Sequence, residues 1–182
     1  MTTAPLRVFL PNEEGLKYLW EKFDTHRDEF PCEIPQDPIA FCTWILQPDN
    51  QIFLVGGEES DPTTAEGMFL LSGIQPNEGA FSHIYIWGRH KMRPKDLIAS
   101  AQQAIVAVMV AHNLHRISGI TPMTCPEAKM FATRVGFKVE GILRKAILHQ
   151  GLRVDAWVSG IIRSDLPEYF PDTVVKDDTI EE

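Results

Sequence analysis

Five basic residues are concentrated in one short stretch of the chain, where a strand pattern gives way to a helix pattern. They are Arg89, His90, Lys91, Arg93 and Lys95, within the segment WGRHKMRPKDL. The start of a helix presents unpaired backbone N–H groups and the positive end of the helix dipole, so it is a natural anion site. Basic side chains at a helix start are unfavourable without a counter-anion. The stretch therefore predicts a bound anion, and phosphate is the anion we expect.

A second candidate for chemistry lies on the strand that leads into the basic stretch, AFSHIYIWG (80–88). Because side chains alternate along a strand, His83 and Tyr85 share one face, and Ile84 and Ile86 lie on the other. His83 can take a proton from a substrate directly or through a water molecule, and Tyr85 is a weaker candidate for acid or base. The alternative for His83 is a core residue with a satisfied hydrogen bond.

A thiol at the start of a later helix, Cys125, is a third candidate. A helix N-terminus lowers the pKa of a cysteine, and such a thiol can form a covalent acyl-enzyme. Spacing assigns it no His-Asn or His-Asp partner, so we favour a small residue that fills the helix start. Thr121 and Thr124 are expected to end a strand and to cap the helix, with thiolate protonation or substrate binding as the alternative.

Hydrophobic periodicity predicts the elements that must position these residues. A long helix is predicted after Pro94, a residue that suits a first helical turn. The run IAFCTWIL is too short for its periodicity to decide, and we assign it as a helix. The other expected elements are strands at 6–10, 51–59, 67–74, 80–88 and 115–123, helices after Asn12 and at 125–136, and a hairpin of FKVEGILRKAIL with VDAWVSGIIR.

The composition indicates one domain that is acidic overall. The chain has 182 residues, of which 44% are hydrophobic, and this is enough to form a sizeable core. Its formal net charge is −8, so the basic stretch runs against the global sign and needs a local reason. We assign residues 1–165 to a single domain and residues 166–182, which are rich in Asp and Glu, to a mobile acidic tail.

Several classes of protein are disfavoured by the sequence. No apolar run approaches the roughly 20 residues of a membrane span, and no signal peptide is visible, so we expect a cytoplasmic protein without a membrane partner. The three cysteines, Cys32, Cys42 and Cys125, show neither C-x-x-C spacing nor a histidine pair at ligand spacing. This predicts reduced thiols and no metal.

A combination of short motifs in residues 115–163 resembles a known family. The motifs are the pairs Gly136-Phe137 and Glu140-Gly141, then Arg144, and Gly151 followed by Asp155. In this combination the chain resembles the GCN5-related N-acetyltransferases (GNAT superfamily), and it is particularly similar to their ribosomal-protein N-terminal acetyltransferase branch (RimJ/RimL-like). The first half of the chain matches the family only in the order of its elements.

The resemblance implies a mixed α/β fold in which helices flank a mostly antiparallel central sheet. It also implies acetyl-CoA as co-substrate, with its pyrophosphate on the loop after the fourth strand, and direct attack by an amine on the thioester. Glu140 is expected in a surface ion pair. The expected catalytic residues are His83 and Tyr85, and the expected cofactor-binding residues are Ile84, Ile86, Arg89, His90, Lys91, Met92, Arg93, Lys95 and Cys125.

The sequence also departs from the family at functional positions. In the loop pattern R/Q-x-x-G-x-G/A, Arg89 keeps the first place, but Met92 and Pro94 stand at the two glycine places. Pro94 has no N–H to offer a phosphate, so we expect the basic side chains to supply by charge what the backbone does not. The family's usual Asn falls on Cys125, and the Tyr that protonates the departing thiolate falls on Ala132.

The expected function is therefore acetyl transfer from acetyl-CoA to an amine, which is a protein N-terminus, a lysine or a small amine. An acidic surface suits a cationic acceptor such as a polyamine. A catalytically silent acyl-CoA-binding or protein-interaction module is the main alternative, because it explains the departures. Nucleic-acid binding ranks third, since the basic stretch lacks interleaved aromatic residues and the rest of the chain is acidic.

Overall fold

One seven-stranded sheet organises the chain. The computed structural model describes residues 6–27, 30, 35–58, 60–87 and 93–170, and within them the strands follow the spatial order β1-β2-β3-β4-β5-β7-β6. The pairing of β4 with β5 is parallel, and the other pairings in this sheet are antiparallel. The strands are β1 (Leu6–Val8), β2 (Gln51–Val55), β3 (Gly67–Ser72), β4 (Gly79–Ile86), β5 (Arg116–Pro122), β6 (Lys138–His149) and β7 (Leu152–Ile162).

Four α-helices are found among the described residues, and local sequence explains their starts. Asn12 and Asp37 cap the first two, since their side-chain oxygens accept the backbone N–H groups of Gly15 and Ala40. The ambiguous run IAFCTWIL is a helix, as predicted. The helices are α1 (Glu13–Thr25), α2 (Pro38–Ile45), α3 (Pro94–Ala111) and α4 (Pro126–Val135), and short 3-10 turns cover Pro62–Thr64 and Arg163–Asp165.

Both faces of the sheet are covered, and each face has its own core. On one face α1 and α2 pack an aromatic-rich core in which Phe23 and Phe41 are fully buried. On the other face α3 and α4 cover a more aliphatic core. Strand β2 contributes to both, with Leu54 in the first core and Phe53 in the second. This double burial explains why QIFLV and GMFLL are continuous apolar runs rather than alternating patterns.

The sheet opens in its middle. The pairing of β4 with β5 comprises Gly79 with Arg116, Ala80 with Ile117 and Phe81 with Ser118. Beyond these pairs, β4 continues to Ile86 while still paired with β3, and β5 continues to Pro122 while still paired with β7. The two strands therefore diverge within their fully described lengths, and a gap forms between their carboxyl ends.

Hydrogen bonds connect the C-terminal end of α3 to the 3-10 turn that follows β7. The Arg163 guanidinium donates hydrogen bonds to the carbonyls of Leu114 and Met109 and to the side-chain oxygen of Asn113. The core also extends past residue 165, because Leu166 is buried and Phe170 packs against the same cluster. Residues 171–182, which hold most of the expected acidic tail, lie outside the described residues.

Strand limits differ from the sequence-based expectations at several ends. Strand β1 stops at Val8, β2 at Val55 and β3 at Ser72, each two to four residues before the predicted end. The reason at β2 is a turn of two glycines in left-handed conformations, Gly56 and Gly57. None of the helices in the described part of the chain combines the length and the apolar character needed to cross a membrane.

The glycine turn after β2 leads to a stability prediction. A Cβ at Gly57 would lie 2.3 Å from the Thr64 carbonyl oxygen, whereas a Cβ at Gly73, which also has a positive φ, would meet nothing within 4 Å. We expect Gly73→Ala to cost about 1–2 kcal/mol of unfolding free energy through left-handed strain. Gly57→Ala should cost about 1–3 kcal/mol more through the clash. Urea unfolding midpoints at equal m-values measure both costs, and equal losses would contradict a role for the Thr64 carbonyl.

Candidate active site

A cavity of about 420 Å³ occupies the gap between β4 and β5. Its walls are largely apolar, and their main apolar residues are Ile84 and Ile86 on β4, Ile120 on β5, Leu97 on α3 and Phe131 on α4. Because the pairing of these strands ends at Phe81 and Ser118, their facing edges beyond that point are not bonded to each other. The cavity thus combines apolar walls with two strand edges, a combination suited to an extended ligand arm that carries amide groups.

The predicted anion site borders this cavity. Pro94 and Leu97, in the first turn of α3, line it. Arg93 is the N-cap residue of α3, and its Nε donates a hydrogen bond to Asp96 Oδ2 at 2.5 Å. Lys95 is exposed in the same turn. The start of α3 and its two described basic residues, Arg93 and Lys95, therefore lie at the border of the cavity.

Four of the predicted cofactor-binding residues belong to the segment that precedes Arg93 in the sequence. Arg89, His90, Lys91 and Met92 lie outside the described residues. Their role stays a prediction from the sequence and from their position next to Arg93.

His83 lines the cavity and is partly buried. Its Nε2 lies 2.9 Å from Ser72 Oγ, so the ring is oriented by a neighbouring strand. Burial lowers the pKa of His83 below 6.5, its ordinary value, because a charged imidazolium is poorly solvated there. Burial therefore favours the neutral imidazole, which is the form that accepts a proton.

Tyr85 also lines the cavity, but most of its surface belongs to the aromatic core. Its ring packs edge-on against Phe23, with ring centroids 4.6 Å apart, and against Phe30. The ring of His83 is parallel to it at 6.3 Å. The alternation predicted for β4 is confirmed, because Tyr85 joins the core under α1 and Ile84 packs against the core under α3.

Cys125 lines the cavity and is the N-cap residue of α4. Its Sγ lies 4.0 Å from Nε2 of His149, a buried residue at the end of β6. No such partner is predicted by the sequence, because the two residues are 24 positions apart in the chain. The cap predicted at Thr124 is wrong, since the helix begins after Cys125 and the Thr124 hydroxyl lies 2.7 Å from His149 Nδ1 instead. Thr121 is on β5, as predicted, and faces the cavity.

Two further positions have clear outcomes. Glu140 forms an ion pair with Arg116, which confirms the predicted surface role. It is not among the residues that line the cavity. The hydrogen bonds from the Arg116 guanidinium lower the pKa of the Glu140 carboxyl. Ala132, which takes the place of the family's usual Tyr, lines the cavity with a methyl group and so offers no proton there.

Comparison with known proteins gives similarity in structure rather than in sequence. No family model matches the chain, and no curated protein matches it. The spermidine N-acetyltransferase from Vibrio cholerae, solved in complex with CoA and spermine, superposes with a TM-score of 0.73 at 17% identity over 91% of this chain and 98% of that chain. A chimera of the V. cholerae enzyme SpeG and hSSAT gives 0.70 at 19% identity over 93% and 99%.

The fold is that of the GCN5-related N-acetyltransferases. This confirms the predicted fold class, a mostly antiparallel sheet flanked by helices. At these identities the similarity concerns the fold, and the chemistry has to be argued from the cavity. Among the described residues, no group of three or more His, Cys, Asp or Glu side chains is arranged to hold a metal ion.

The lowered pKa of His83 predicts how stability depends on pH. Because the folded state binds this proton more weakly than the unfolded chain, the free energy of unfolding should fall as the pH drops below 6.5. Above that pH the histidine makes no such contribution. Urea unfolding of the wild type and of His83→Gln across this range should show a smaller acid loss in the variant. Equal losses would show that the ring is not shielded from water.

Proposed function

We propose that this protein is an N-acetyltransferase that transfers an acetyl group from acetyl-CoA to an amine. The observation that carries the proposal is the cavity between β4 and β5, with a helix start and its basic residues at one border and a neutral histidine in its wall. The acetyl-CoA thioester supplies the activated acyl group. The chain's own residues bind the donor, exclude water from the reacting atoms and take up the proton of the acceptor.

Binding of acetyl-CoA is assigned to three groups of residues. The facing edges of β4 and β5 are suited to the two amides of the pantetheine arm, as a strand edge is to a peptide. Ile84 and Ile86 supply apolar contacts. The phosphates are assigned to the start of α3 and to its basic residues, which are Arg89, His90, Lys91, Arg93 and Lys95 together with the neighbouring Met92.

Proton transfer is assigned to His83. An amine attacks a thioester only in its uncharged form, so an ammonium acceptor must first lose a proton. The neutral imidazole of His83 accepts it directly or through a water molecule, and Ser72 holds the ring in place. Tyr85 is assigned a secondary role as acid or base, because its ring is committed to the aromatic core.

The acceptor we favour is a cationic small amine. The net charge of −8 attracts polycations, and several structural neighbours are spermidine N-acetyltransferases, one of them with spermine bound. A peptide N-terminus is the second acceptor to test, because the motifs in residues 136–155 are similar to the N-terminal acetyltransferase branch. A lysine side chain is the third.

The catalytic domain is assigned to residues 1–165, as the composition predicted, and we extend it to Phe170. Leu166 is buried in the core beneath α3 and α4, so the chain cannot be cut before it without exposing apolar surface. The remaining acidic residues are proposed as a tail outside the domain.

One observation favours a second function. Ala132 lines the cavity where the family has its usual proton donor, which agrees with a module that binds acyl-CoA without turnover. In that case the protein would bind acetyl-CoA, and no amine would be acetylated.

Calorimetric titration with acetyl-CoA tests the binding site. We expect a micromolar Kd in the wild type, and a loss of about 10²- to 10⁴-fold in Arg89→Ala combined with Arg93→Ala, because charge-assisted contacts contribute about 1.5–3 kcal/mol each. The matched control is Lys17→Ala combined with Arg153→Ala, which removes the same charge from exposed positions outside the cavity lining. Absence of binding by the wild type would refute the proposed function.

Turnover separates the enzyme from the silent module. CoA release should be measured with spermidine, a peptide with a free N-terminus and a peptide with a single lysine as acceptors. We expect spermidine to be the best acceptor and His83→Gln to lower kcat on the order of 10²-fold, with a smaller effect on the Kd for acetyl-CoA, because general-base catalysis is lost. Binding without turnover of any amine would favour the silent module.

A further inference from the structure

Three side chains form a cluster at one wall of the cavity. Cys125 lines the cavity, His149 is buried behind it with 6% of its surface exposed, and Thr124 contacts the other side of the ring. The Sγ···Nε2 distance is 4.0 Å and the Oγ1···Nδ1 distance is 2.7 Å. The thiol contacts the imidazole, and the imidazole contacts the hydroxyl. This is the arrangement of an activated nucleophile, its base and the group that orients the base.

We propose that Cys125 accepts the acyl group of acyl-CoA and forms a thioester on the protein. This rests on the proposed function, because it requires acyl-CoA to enter the cavity that Cys125 lines. It goes beyond direct transfer, since it adds an acyl-enzyme and a second activity, the exchange of acyl groups between CoA molecules in the absence of an amine.

The surroundings of Cys125 favour its thiolate in two ways. The thiol sits at the start of α4, a helix of 10 residues, where the helix dipole stabilises negative charge. His149 Nε2 can take the thiol proton, provided that Nδ1 carries the other ring hydrogen and donates it to Thr124 Oγ1. The positive ring then lies next to the thiolate, and this pairing offsets the cost of a buried charge.

The step conserves atoms and charge. The Cys125 Sγ–H proton moves to His149 Nε2, the sulfur attacks the thioester carbonyl carbon, and a bond from Sγ to that carbon forms. The bond from the carbon to the CoA sulfur breaks, and the CoA thiolate leaves with the proton returned from His149. One thioester is exchanged for another, so the reaction is close to thermoneutral and runs in both directions. The thioester on Cys125 then passes its acyl group to an amine or back to CoA.

His149 can also supply the proton that the family's usual Tyr would donate to the departing CoA thiolate. Ala132 cannot protonate a departing CoA thiolate, but His149, once it has taken the Cys125 proton, holds one next to Cys125, which lines the cavity. His149 therefore serves both halves of the exchange, and Thr124 acts as a positioning residue.

Isotope exchange tests the proposal without any amine. Acetyl-CoA is incubated with labelled CoA and the wild-type protein, and transfer of label into acetyl-CoA is followed. We expect exchange in the wild type, none above background in Cys125→Ala, and a rate lower on the order of 10²-fold in His149→Ala. Imidazole added to His149→Ala should restore part of the rate. Thr124→Val should slow exchange and Thr124→Ser should retain it.

Peptide mass spectrometry locates the acyl group. After incubation with acetyl-CoA, we expect one acetyl group on Cys125 that neutral hydroxylamine removes, as it does a thioester. Cys42 is the internal control, because it is another partly buried thiol of the same chain. Cys42→Ala should exchange acyl groups as fast as the wild type.

The outcomes separate the two proposals. If calorimetry shows acetyl-CoA binding while neither exchange nor acetyl-Cys125 is found, the acyl-enzyme is refuted and direct transfer stands. If exchange persists in Cys125→Ala, another group carries it and the proposal is wrong. If acetyl-CoA does not bind, both proposals fail together. If His149→Ala exchanges as fast as the wild type, the base assignment is overturned.

Discussion

The short parallel pairing between β4 and β5 is the constraint on which the rest of the structure depends. Three residue pairs hold the two halves of the sheet together, and each strand then follows its other neighbour. A continuous pairing would leave no cavity, and no pairing would leave two separate sheets. The same divergence brings the start of α3, the wall of β4 and the start of α4 around one space. Binding groups from distant parts of the chain meet there for this reason.

Much of this arrangement follows from local sequence. Proline at the helix starts, capping side chains and a glycine at the end of α4 fix the helix limits, and the alternation on β4 decides which of its residues face each core. The continuous apolar runs of β2 and β3 also have a local cause, since both faces of these strands are buried. Strand ends are less predictable, because the backbone conformation of a turn decides where a strand stops, as the left-handed Gly56 and Gly57 do after β2.

The partnership of Cys125 with His149 shows what local patterns miss. Strand β6 contains two irregularities against β7, between Val139 and Gly141 and between Leu143 and Ile147. The first adds one residue to β6 and the second adds two, so the face on which His149 lies cannot be counted from the start of the strand. The left-handed Lys145, whose N–H is bonded to Asp155, lies within the second irregularity. Only the three-dimensional register brings the imidazole to the thiol.

The hydrogen bonds of Arg163 hold α3 at its C-terminal end. They connect the C-terminal end of α3 to the turn that follows β7, while its N-terminal end borders the cavity. Eighteen residues make a lever about 27 Å long at 1.5 Å per residue. A tilt of about five degrees around the fastened end therefore displaces Pro94 by about 2 Å, roughly the radius of an atom. A small change in packing around Arg163, at the distant end of α3, would therefore change the width of the cavity.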